Sequence, residues 1–159
     1  MKSLLVLSLL CVSTLTGCAT ARFYPVQGPL STRTPPPVYV AKFSGAFSSG
    51  DLSVVLDGGE VCKGHWAQVS RPNTAQAATT AASATADNLS AEWDTVYGTG
   101  FYVANVLGTR LYARAVLAGN RGTTLSVELY KPDRVENTTI GAIKGVAKDD
   151  KGNIYKVAF

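Results

Sequence analysis

Histidine and methionine occur once each in this chain of 159 residues, cysteine three times and tryptophan twice, and only 16% of positions are charged. Each scarcity excludes a class of function. A tetrahedral zinc site draws on three or four Cys or His ligands, whereas the body of the chain offers Cys62 and His65, so no metal site is expected. No apolar run approaches the roughly 20 residues that a bilayer-spanning helix needs. Basic residues outnumber acidic ones by 15 to 11, a net charge of +4 spread along the chain, which implies no nucleic-acid partner. There is no Gly-rich phosphate loop and no Gly-x-Ser-x-Gly elbow, and no cofactor is expected. What is present is an apolar share of 46%, typical of a globular fold, in a length suited to one domain plus targeting segments.

The start is patterned for export. Lys2 precedes the apolar run Leu4–Val12, too short for a spanning helix and arranged like a signal peptide. Then comes Leu15-Thr16-Gly17-Cys18, which resembles the lipobox of bacterial lipoproteins. Small residues at Thr16 and Gly17 suit entry into a protease cleft, and a thiolate is a good nucleophile. Cys11 does not compete, because bulky Leu10 precedes it. The resemblance covers residues 1–18 and implies cleavage between Gly17 and Cys18, which removes residues 1–17. It further implies a diacylglycerol thioether on Cys18, with acylation (palmitate among the chains) of the new amino group. Ala19 after the Cys implies sorting to the periplasmic face of the outer membrane rather than retention in the inner one.

Residues 18–37 read as a lipidated N-terminus and a tether. They hold Pro25, Pro29 and Pro35-Pro36-Pro37, and proline favours extended, internally unbonded backbone. At about 3.1 Å per residue such a segment reaches roughly 60 Å. Phe23 and Tyr24 stand out in it, as contacts to the domain or to the lipid interface.

Residues 38–159 read as a single β-rich domain. Val38–Phe47, Leu52–Leu56 and Val61–Val69 have strand character, and Asp57-Gly58-Gly59 between two of them is a hairpin signal. A second hairpin joins Leu111–Leu117 to Thr123–Tyr130 through Gly119–Gly122, and a third joins Thr139–Lys148 to Ile154–Phe159 through Asp149–Asn153. Phe101–Leu107 reads as one more strand. About eight short strands predict a mainly β fold, an antiparallel meander closed into a small barrel or folded as a sandwich. One Ala/Thr-rich helix interrupts it: Ala75, Ala78, Ala82, Ala86, Leu89 and Trp93 recur at helical spacing, with Asn73 and Gln76 as a cap and Gly98 and Gly100 as a stop.

Little in the domain reads as chemistry. Cys62 and His65 are the tempting nucleophile and base, but three residues apart on a strand they face opposite ways. Cys62 fits a small buried apolar group. Asp149–Asn153 lacks the spacing of a calcium loop and is explained by a turn. The alternating end Tyr155, Val157, Phe159 resembles that of an outer-membrane barrel, yet most strands are shorter than the 9–11 residues that spanning needs. Trp66, Trp93, Tyr97, Tyr102, Tyr112 and Tyr130 suit either a core or a recognition face. The expectation is a non-enzymatic, lipid-anchored envelope protein with a structural or binding role, its partners the membrane and other envelope proteins. The alternatives are a barrel binding glycan or lipid, a cell-wall hydrolase using Cys62, and a secretion-channel accessory.

Overall fold

The computed structural model describes residues 17–45, 48–69, 89–107, 111–132 and 140–159. Its strands are β1 (Gly17–Gln27), β2 (Tyr39–Gly45), β3 (Ser49–Val55), β4 (Val61–Gln68), β5 (Leu111–Gly119), β6 (Thr124–Tyr130), β7 (Lys144–Asp149) and β8 (Ile154–Ala158). Each pairs antiparallel with the next, and β1 pairs with β8, so the meander is a closed barrel and not a sandwich. Closure leaves no free sheet edge.

The first strand corrects the expected tether. Residues 17–27 belong to the barrel: Gly17–Phe23 pair with β2 and Arg22–Gln27 with β8. Ala21 and Phe23 point into the core with at most 1% of their surface exposed, while Tyr24 and Val26 point out. Pro25 does not break the strand because the β1–β8 register shifts between Pro25 and Gln27, and a bulge is where a sheet accepts a residue without an N–H. The other prolines of the expected tether, Pro29 and Pro35–Pro37, lie beyond the strand, in the connection 28–38. The barrel therefore takes in the residues from Gly17 onward, not only those from Val38.

The interior is filled. Phe23, Phe43, Leu52, Leu117, Leu125 and Leu129 interlock with Ala21, Ala41, Ala113, Ala115 and Ala147, the mix of large and small side chains that an eight-stranded barrel needs. At Gly64 a Cβ would lie 2.1 Å from the Val116 carbonyl oxygen, so only glycine lets β4 and β5 approach there.

A second cluster covers the outer wall. Helix α1 (Ser90–Tyr97) buries Trp93 against Leu89, Val106, Leu111, Tyr130 and Val146. The expected N-terminal cap at Asn73 and Gln76 lies outside the described residues, but the helix does end at Gly98, at φ +103°. Phe101–Leu107 is not a strand: Tyr102–Val106 forms a wide helical turn closed by the Leu107 N–H on the Tyr102 carbonyl. Phe101 stacks on Trp93 and Tyr97, and Asp94 Oδ1 accepts the Tyr102 N–H at 2.9 Å. These tertiary contacts override the β-favouring residues. Glu128, 2% exposed, accepts hydrogen bonds from Trp93 Nε1 at 2.8 Å and Arg114 Nε at 2.9 Å.

Because Phe23 fills the core rather than a tether, Phe23→Ala is expected to destabilise the protein by about 3–5 kcal/mol. Urea unfolding followed by tryptophan fluorescence measures this, and an unchanged midpoint would restore the tether.

Candidate functional site

The end of the barrel away from Gly17 is closed by the connection 28–38 and by the turns after β3, β5 and β7. It is organised by two buried carboxylates. On β7 the inward positions are Gly145, Ala147 and Asp149, so strand alternation itself aims an acid into the barrel mouth. Asp149 Oδ1 accepts the backbone N–H groups of Lys151 (2.9 Å) and Asn153 (2.8 Å). Its Oδ2 accepts Asn153 Nδ2 (2.8 Å) and the Tyr155 hydroxyl (2.7 Å). Asn153 Oδ1 in turn accepts the Leu30 N–H at 2.9 Å, stitching the Pro-rich connection across the end.

Glu60 is the second hub. Its Oε1 accepts the N–H groups of Arg121 and Thr123, and its Oε2 accepts the Thr123 hydroxyl at 2.7 Å, with Lys151 Nζ 3.6 Å away. The hydrogen bonds from Thr123 hold the Glu60 carboxyl below its usual pKa, despite burial pulling the other way.

Between these hubs lies an open cup of ≈ 300 Å³ walled by Leu30, Leu56, Tyr39 and Tyr155, with Arg33, Asp57 and Lys151 at its lip. Arg33 and Asp57 form an ion pair, each about half exposed. Tyr39 is 94% buried (6% exposed), and its hydroxyl has no hydrogen-bond partner among the described residues. Burial first, then a weak interaction of the hydroxyl with the Asp57 carboxylate, short of good hydrogen-bond geometry, and then that carboxylate's charge push its phenol pKa up. Burial and the Asp149 hydrogen bond do the same to Tyr155. Both phenols therefore stay protonated.

Other candidates are placed elsewhere. Cys62 points into the core with 0% exposure, and His65 stands on the outer wall, its Nδ1 3.5 Å from Asp51. The two are not brought together, and burial followed by the charge of Glu60 raises the Cys62 pKa. Asp149–Asn153 is the β7–β8 turn. Of the six aromatics singled out from the sequence, Trp93 and Tyr130 are buried and the other four half-buried; none lines the cup. Tyr39 and Tyr155 do, and only their inward strand positions could have marked them. Cys18 is exposed at the opposite rim, paired with Ser44 across β1 and β2.

The outer wall carries exposed Arg22, Lys42, Lys63, His65, Lys148 and Lys156 interspersed with exposed Tyr24, Val26, Val40, Val55 and Val116 around an apolar interior, whereas a membrane-spanning barrel turns a continuous apolar band to lipid. No family model, no curated protein and no solved structure matches the chain.

Two outcomes follow from this geometry. A depressed carboxylate pKa contributes stability above the unfolded value of about 4.3 and loses it as pH falls through the lower folded value. Glu60→Gln is expected to lower Tm at neutral pH, the gap to the parent closing as the medium is acidified below pH 4; a gap independent of pH would contradict the assignment. Cys62 should resist maleimide in the native protein and react fully on unfolding, which mass spectrometry reads directly.

Proposed function

We propose that the chain is a lipid-anchored bacterial envelope protein with a binding role, held by acyl chains on Cys18 and displaying its cup at the far end of the barrel. The observation that carries this reading is the position of Cys18. The residue that the lipobox resemblance designates for lipid is the second of β1, exposed, at the rim opposite the cup. With no tether, a lipid there holds the barrel end against the bilayer.

Lys131 and Lys144 lie at the same end. Lysines near an anionic membrane surface add about 1 kcal/mol each, so the charge of this rim supports contact with headgroups. Single acyl chains anchor marginally, and two or more make attachment durable. The Ala19 position favours the periplasmic face of the outer membrane. Other envelope proteins remain natural partners for a body so displayed.

Intact-mass and peptide spectrometry of the protein from membranes tests the proposal. The expected product begins at Cys18 and carries a diacylglycerol thioether, and Cys18→Ala is expected to abolish both lipid and processing. A bare thiol at Cys18 on exported protein would overturn it.

A further inference from the structure

We propose that the cup takes an uncharged, polyhydroxylated ring of monosaccharide size; this rests on reading the cup as the site through which the barrel binds. Size sets the first limit, because ≈ 300 Å³ lies at the bottom of the range of about 300–1,000 Å³ for small-molecule sites.

Charge sets the second. Arg33 is matched by Asp57, Lys151 by Glu60, and Asp149 by four neutral donors. A ligand bringing a net charge would meet no unmatched opposite charge. A wholly apolar ligand would cover the ion pairs of the lip without replacing the water they lose.

Hydrogen bonding sets the third. The Tyr39 hydroxyl is shielded from water and makes no well-formed hydrogen bond, its one weak interaction being with the Asp57 carboxylate that Arg33 already engages, a condition that costs free energy until a better partner arrives. Beside it the half-exposed Arg33 and Asp57 place donors and acceptors next to one another. A sugar hydroxyl is at once donor and acceptor, so vicinal hydroxyls suit both that lip and the poorly bonded phenol. The C–H face of a pyranose packs on aromatic and aliphatic surface, here Tyr39, Tyr155, Leu30 and Leu56.

Calorimetric titration and thermal shift of the full-length protein in a sugar-free detergent test this, with glucose and N-acetylglucosamine as neutral probes. Glucosamine, glucuronate and phenol serve as cationic, anionic and aromatic comparators. Saturable millimolar binding of a neutral sugar is expected, and Tyr39→Phe should weaken it about three- to tenfold, the loss of one neutral hydrogen bond. The same substitution should leave Tm unchanged or higher, since it removes a hydroxyl without a well-formed hydrogen bond, whereas a merely structural tyrosine would lower it. Binding of the comparators but not of neutral sugars would overturn the ligand class and leave the cup standing. Binding of no probe would overturn both, and neutral-sugar binding untouched by Tyr39→Phe would overturn the site.

Discussion

The pairing of β1 with β8 is the constraint on which the rest depends. Seven strands in an antiparallel meander leave two open edges, and an open edge exposes a row of unpaired N–H and C=O groups. β1 removes both edges at once. Its first half pairs with β2 and its second half with β8, overlapping only at Arg22 and Phe23. That stagger is what strand tilt in a closed barrel requires. It also carries the chain from one rim to the other in a single strand, which puts Cys18 and the cup at opposite ends.

Closure then decides where polar groups can go. The filled interior leaves no place for a carboxylate except at a mouth, where turn N–H groups are available as donors. Asp149 and Glu60 occupy such places, and each receives enough hydrogen bonds to offset its burial. The outer cluster repeats the arrangement: Glu128 is covered by Trp93 yet held by the indole N–H and by Arg114. Lys144 and Lys156 lie over the Tyr97 ring on the solvent side of that cluster. Losing a donor at any of these carboxylates would strand a buried charge, which costs far more than the pair itself contributes. Among the described residues Tyr39 is the exception, a buried hydroxyl with only a weak interaction to Asp57 in an otherwise well-satisfied end.

The parts of the fold legible in the sequence are those governed by local chemistry. The turns at Asp57–Gly59, Gly119–Gly122 and Asp149–Asn153 carry their own glycines and side-chain acceptors, and the strands flanking them lie close to where alternation puts them. β1 was hidden because Pro25 reads as a breaker unless a bulge is known to receive it. Phe101–Leu107 misled in the opposite sense, its aromatic and β-branched residues serving a stack on Trp93 instead of a ladder. The count of eight strands survived both errors because they cancelled. The cup was not legible at all. Its tyrosines are separated by more than a hundred residues, and only the closing seam brings β2 beside β1 and β1 beside β8. Asp149 could be read as a turn residue, but its role as an inward hub needs the parity of the whole strand.

An anchor inside a strand acts differently from one at the end of a flexible chain. On a tether of roughly 60 Å a domain samples many orientations, and a shallow cup would face the bilayer as often as away from it. On the anchoring proposed above, a lipid fixed at the first strand's rim would remove most of that freedom, and Lys131 and Lys144 at the same rim would oppose tipping. The cup would then point away from the membrane in every copy. Individually weak sites gain avidity when many are held in one plane and engage a repetitive ligand together, because each further contact is effectively intramolecular. Millimolar affinity for the proposed sugar would therefore be no obstacle to function, provided the ligand is polymeric and the barrels stand upright.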